Sequence, residues 1–204
     1  MTTRRIWIRL YRWLALMAAV APAVWLAWRA WAGRLGADPV ETLLHTTGSV
    51  AFVLLLATLA LGPVARLAGY GWLAAPRRWL GILTCLWAAA HFGVWLGLDQ
   101  FFAWGFAWQE FQGRAYLWWG AGALVILLML GVTSTDGWQR RLGPGVWTGL
   151  HRLSYVAAVA ALIHIHLQTR ADYLLVYVYT GVLAVLIAAR LAAALGLGWR
   201  KRIS

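Results

Sequence analysis

The sequence predicts an all-α integral membrane protein, a six-transmembrane-helix bundle with both termini in the cytoplasm. Three observations predict it. The 204-residue chain is 63% hydrophobic and only 12% charged, whereas a soluble domain carries about 25% charged residues. Its apolar residues fall in six stretches of about 18 or more, long enough to cross a hydrocarbon core. Its arginines fall in short clusters between those stretches, where they act as topology determinants.

The six spans are 13–31, 44–65, 79–98, 115–132, 147–167 and 173–194. Lipid offers the backbone no hydrogen-bond partner, so each is read as a helix. Together they form a single transmembrane domain over 1–204. One side of the membrane receives Arg4, Arg5, Arg9, Arg12, Arg66, Arg77, Arg78, Arg140, Arg141, Arg200, Lys201 and Arg202. The other receives Arg34, Arg114 and Arg170 with Asp38, Glu41, Asp99, Glu110 and Asp172. The positive-inside rule puts the arginine-rich side in the cytoplasm.

The first span carries a decoy. Residues 3–9, with Arg4 and Arg5 paired, resemble a twin-arginine export signal, and Ala19-Val20-Ala21 resembles a cleavage site. The apolar run continues through Val24-Trp25-Leu26-Ala27-Trp28, too long for a signal core, so an uncleaved helix is expected. Trp7, Trp13, Trp31, Trp72, Trp79, Trp104, Trp108, Trp138, Trp147 and Trp199 stand near span ends, where an interfacial aromatic belt belongs. Segment 99–114, DQFFAWGFAWQEFQGR, is too polar to span and is placed in the outer interface. Its roles there are lipid anchoring or docking of an external partner, with anchoring favoured.

Composition excludes several function classes. The net charge of +12 sits in loops and forms no basic stripe on a soluble face, so no nucleic acid is expected as partner. Cys85 is the only cysteine, which rules out internal disulfides and cysteine-ligated clusters. It reads as a buried packing residue. No carboxylate lies in the middle of a span, against the usual proton-relay and cation-transport designs. No glycine-rich fingerprint follows a strand, so no Rossmann site is expected.

Five histidines remain as polar groups with chemistry: His45, His91, His151, His164 and His166. His91 lies 12 residues after Trp79, about 18 Å into the third span. His164 lies 17 residues after Trp147, about 25 Å into the fifth. Both reach the outer half, and two facing imidazoles at similar depth suit bis-histidine ligation of haem iron. Small residues flank them: Ala88, Ala89, Ala90 and Gly93, then Ala157, Ala158, Ala160 and Ala161. Such residues make room for a macrocycle or for close helix contact.

His151 is a separate candidate, for a second haem or for a flavin or quinone site near the inner face. It precedes His164 by 13 residues, which sets the side chains about 140° apart on an ideal helix. The matching position on the third span lies near Arg78, with no histidine. His166 points away from His164, and His45 reads as interfacial. Arg77, Arg78, Arg140, Arg141 and Arg152 suit haem propionates or a flavin phosphate, although their topological role already accounts for them.

Several segments resemble the MsrQ (formerly YedZ) family, the haem-binding membrane subunits of the bacterial MsrPQ protein-methionine-sulfoxide reductase system. They are GADPVETLLHTTG (36–48), LATLALGPVAR (56–66), RRWLG (77–81), RAYLWWG (114–120) and TSTDGWQRRLG (133–143), then Trp147 through His151 and Tyr155 to His164. The match runs from about 33 to 195 in one order and spacing. The resemblance implies a ferric-reductase-like transmembrane core, about 44–195, in the bacterial inner membrane. It implies haem b and FMN as cofactors and His91, His151 and His164 as haem-associated residues. It further implies electrons taken from the quinone pool and given to MsrP, a periplasmic molybdenum-containing catalytic subunit that repairs oxidised proteins.

Two other readings stand beside it. One is a ferric-chelate or oxygen reductase core fed by a separate soluble cytoplasmic flavin reductase. The other is a redox-inert transporter or assembly factor.

Overall fold

The computed structural model describes residues 2–171 and 173–195. Asp172, Trp199, Arg200, Lys201 and Arg202, part of the topology argument above, lie outside the described residues, as does the side chain of Arg4. The described residues form eight α-helices and no strand: α1 (Thr2–Trp31), α2 (Pro39–Leu67), α3 (Arg77–Val94), α4 (Trp104–Gly113), α5 (Ala115–Thr133), α6 (Asp136–His151), α7 (Leu153–Gln168) and α8 (Leu174–Ala194). Among the described residues, six segments are long and apolar enough to cross a membrane, and the protein is a multi-pass membrane protein.

Helix boundaries follow local chemistry. Asp38 caps α2, accepting from the Glu41 backbone N–H at 2.9 Å, and Pro39 fills the first helical position. The fifth span, Asp136–Gln168, would be about 50 Å long if straight, well beyond a hydrocarbon core. Gly143 divides it with φ 71°, a conformation that glycine tolerates, and Pro144 restarts the helix. The expected span from Trp147 therefore begins a few residues early. The expected third span, 79–98, corresponds to α3 followed by a π-helical segment at Trp95–Asp99.

Segment 99–114 is partly helical. Phe101 and Phe102 adopt φ of 50° and 55°, which costs L-residues about 1–2 kcal/mol each. The turn is fastened by the Phe102 N–H to the Leu96 carbonyl at 2.9 Å, and α4 then runs to Gly113. Its Trp104 and Phe106 are exposed, as an interfacial helix requires.

Helices α2, α3, α5 and α7 form the centre, with the closest pairings between α2 and α3 and between α5 and α7. One core cluster joins Phe52, Leu55 and Leu59 of α2 to Leu127 of α5, Ala157 and Ala158 of α7, and Leu183 of α8. The two alanines are fully buried, letting α7 approach its neighbours closely. The other cluster ties α1 to α2 and α3. There the Trp87 indole donates to the Ala19 carbonyl at 3.1 Å, so the residue that mimics a cleavage site is packed into the bundle.

A histidine pair between two helix pairs

His91 on α3 and His164 on α7 come together across the bundle. Their ring centres are 6.2 Å apart and their planes meet at 83°. Each ring rests on the neighbouring helix in the same way. His91 Nδ1 lies 3.1 Å from the Leu44 carbonyl of α2, and His164 Nδ1 lies 2.7 Å from the Tyr116 carbonyl of α5. A carbonyl only accepts, so both Nδ1 atoms carry the proton and donate. Both Nε2 atoms are then bare lone pairs, the form of imidazole that binds a metal.

A glycine four residues beyond each carbonyl makes room for the ring. A Cβ at Gly48 would stand 3.1 Å from Cε1 and 3.2 Å from Nδ1 of His91. A Cβ at Gly120 would stand 2.7 Å from Nδ1 of His164. Leu44 with Gly48, and Tyr116 with Gly120, are thus two copies of one cradle. Helix periodicity puts residues four apart on one face, so the carbonyl and the gap face the same way.

The pair suits a metal between two imidazoles. An imidazole nitrogen binds a transition metal at about 2.0 Å and lies about 1.1 Å from its own ring centre, so two axial rings would be about 6 Å apart. A metal-bound histidine donating its other N–H to a carbonyl is the usual supporting arrangement, which fixes tautomer and orientation. The donor set therefore fits haem iron.

His151 lies in a different layer. Its Nε2 is 3.4 Å from Thr133 Oγ1, and Trp147 stacks on it with ring centres 4.0 Å apart. The Trp147 indole donates to the Thr133 carbonyl at 2.9 Å. The Thr133 hydroxyl donates to the Met129 carbonyl at 2.8 Å, so its oxygen faces Nε2 as an acceptor. His151 thus turns Nε2 toward α5 and forms no second imidazole pair. Arg77, next to the Arg78 position, stands near enough for its charge to reach His151. Arg77 precedes His91 by 14 residues and lies over Gly62, 14 residues after Gly48, at 3.6 Å from a Cβ built there.

The helix between His151 and His164 is not ideal. A turn at Arg152 carries short-range bonds, Arg152 N–H to Gly149 and Tyr155 N–H to Arg152, both 3.1 Å. Such tightening adds rotation per residue and narrows the 140° offset of an ideal helix.

Of the other histidines, His45 is exposed beside Glu41 at 3.6 Å, and His166 packs on Tyr173. Neither joins the pair. Of the small residues flanking His91, Ala90 and Gly93 are exposed, whereas Ala88 packs against both core clusters. Gly48, Gly120, Thr47 and the two carbonyls are the residues that sequence reading missed. Trp147, assigned to the interfacial belt, is a clamp on His151.

The profile of the ferric reductase like transmembrane component matches residues 47–162, from Thr47 through His91 and His151. Curated relatives match over more of the chain. A "Protein-methionine-sulfoxide reductase heme-binding subunit MsrQ" of Rhodospirillum rubrum is 39% identical over 186 residues, covering 91% of this chain and 89% of its own. Proteins of the same description from Caulobacter vibrioides and Deinococcus radiodurans are 37% and 38% identical. They cover 78% and 80% of this chain, and 76% and 82% of their own. The chain belongs to the MsrQ family of membrane subunits, within the ferric-reductase-like transmembrane group.

Proposed function

We propose that this protein is the haem b electron-transfer subunit of a bacterial inner-membrane methionine-sulfoxide reductase system. His91 and His164 would hold the iron, presenting bare Nε2 atoms from two glycine cradles. The observation that carries this reading is the 6.2 Å separation of two imidazoles whose Nδ1 atoms are both spent on carbonyls. Haem, when bound, supplies a one-electron iron couple. The helices hold the rings in orientation and surround them with apolar side chains.

The quinone pool is the proposed electron source at the arginine-rich end, and a periplasmic MsrP catalytic subunit is the recipient at the opposite end. His151, between Trp147 and Thr133, is the proposed contact for the incoming carrier or for a second haem. FMN is the further cofactor of the proposal, and the cationic end carries the charge its phosphate needs. The names of the relatives support the haem and the sulfoxide-reductase context.

A redox-titrated visible spectrum of purified protein, with haem and flavin quantified per chain, tests the reading. A reducible b-type band that is reoxidised on adding the catalytic subunit and methionine sulfoxide is expected. A colourless, redox-silent protein overturns it.

A further inference from the structure

Thr47 is buried, 4% exposed, one residue before the glycine that cradles His91. Its hydroxyl donates to the Leu43 carbonyl at 2.7 Å, the ordinary bond of a helical threonine. With that proton committed, the oxygen lies 3.3 Å from His91 Nδ1 with its lone pairs free. The Nδ1–H of His91 is therefore shared between the Leu44 carbonyl at 3.1 Å and Thr47 Oγ1. His164 has one short bond, 2.7 Å, to Tyr116. The two imidazoles are supported unequally, and on the His91 side the second acceptor is a side chain.

Other helical threonines show that this is more than back-bonding. Thr84 and Thr180 bond their own preceding carbonyls at 2.9 and 2.8 Å. Thr47 and Thr133 do so as well, and each also presents its oxygen to a histidine nitrogen. An acceptor on Nδ1–H raises the basicity of imidazole as a ligand. A more basic ligand favours ferric over ferrous iron and lowers the midpoint potential.

We propose that Thr47 is a positioning residue that sets the redox potential of the iron bound by His91, through the second hydrogen bond it accepts from Nδ1–H. The inference rests on His91 being an axial ligand. One-electron reduction of that iron, the electron coming from a quinol, would make or break no bond in the protein.

Thr47→Val removes the acceptor and keeps the shape, whereas Thr47→Ser keeps the acceptor. In detergent-purified full-length protein, Thr47→Val should retain haem and the low-spin ferric resonance of bis-imidazole iron. Its midpoint should rise, with the ferrous-to-ferric ratio at the wild-type midpoint increasing up to about tenfold, equivalent to about 59 mV for one electron. Thr47→Ser should titrate like wild type. An unchanged midpoint in a loaded, low-spin Thr47→Val protein overturns the inference. So does loss of haem in Thr47→Val with full loading in Thr47→Ser, because the hydroxyl then holds the ring without tuning it. The ligand assignment is tested apart from this by His91→Ala. Full loading with a wild-type spectrum in that variant refutes the assignment itself.

Discussion

Gly120 lies directly beneath the ring of His164: a Cβ there would stand 2.7 Å from Nδ1, 2.9 Å from Cε1 and 3.2 Å from Cγ. The Tyr116 carbonyl holds the same ring at 2.7 Å. The imidazole therefore cannot stay on its carbonyl if the glycine gains a methyl group. Gly120→Ala is expected to lose most bound haem and about 1–3 kcal/mol of stability through overpacking. Gly122, two residues away on α5, has nothing within 4 Å of its Cβ position. Gly122→Ala should keep wild-type haem, and haem per chain in the two variants checks the contrast. Gly48→Ala, at 3.1 Å from His91, should fall between them.

Removing the proposed ligands should divide the histidines by layer. His91→Ala and His164→Ala each delete one half of the 6.2 Å pair and should abolish most of the low-spin haem signal. His45 and His166 are paired elsewhere, so their alanine variants should keep it. The measurement is the reduced-minus-oxidised spectrum per mole of chain. Loss of the signal in the His45 or His166 variant, with retention in the other two, would refute the assignment.

The fold was legible because lipid imposes long apolar stretches, and their periodic spacing by arginine clusters needs no tertiary information. The pair His91 and His164 was legible for a related reason: polar rings at matching depth are costly in lipid and need a partner. Their cradles were not legible. Gly48 and Gly120 look like any helical glycines, and only the pairing of α2 with α3 and of α5 with α7 gives them a ring to accommodate. The left-handed Phe101 and Phe102 were hidden too, since aromatic residues give no turn signal and this backbone is held by bonds from the π-helical segment. Position alone places Trp147 in the belt, and position does not distinguish a belt indole from one stacked on His151.

Trp147 and Thr133 should act through His151 and leave the other pair alone. Trp147→Leu removes both the ring stacked at 4.0 Å and the indole bond to the Thr133 carbonyl. The spectrum of the haem proposed between His91 and His164 should persist, while its rate of reduction by a quinol falls several-fold, as in His151→Ala. Stopped-flow reduction of purified protein in lipid nanodiscs checks this. An unchanged rate in both variants would remove His151 from the electron path.

Gly131 on α5 separates packing from cofactor chemistry. A Cβ there would lie 2.9 Å from Cys85 Sγ and 3.3 Å from its Cβ, far in kind from any histidine contact. Gly131→Ala should cost about 1–3 kcal/mol by overpacking the contact between α3 and α5, seen as a lower melting temperature in detergent. Its haem spectrum and midpoint should match wild type in the protein that remains folded. Cys85 is free and buried, so Cys85→Ala alone opens a small void at modest cost. In the double variant the missing sulfur leaves space for the new methyl, and the two effects should partly cancel. Residues in direct contact couple by about 0.5–3 kcal/mol. A double-mutant cycle showing strict additivity would mean that α3 and α5 separate freely at this point, and that the close approach seen here does not limit stability.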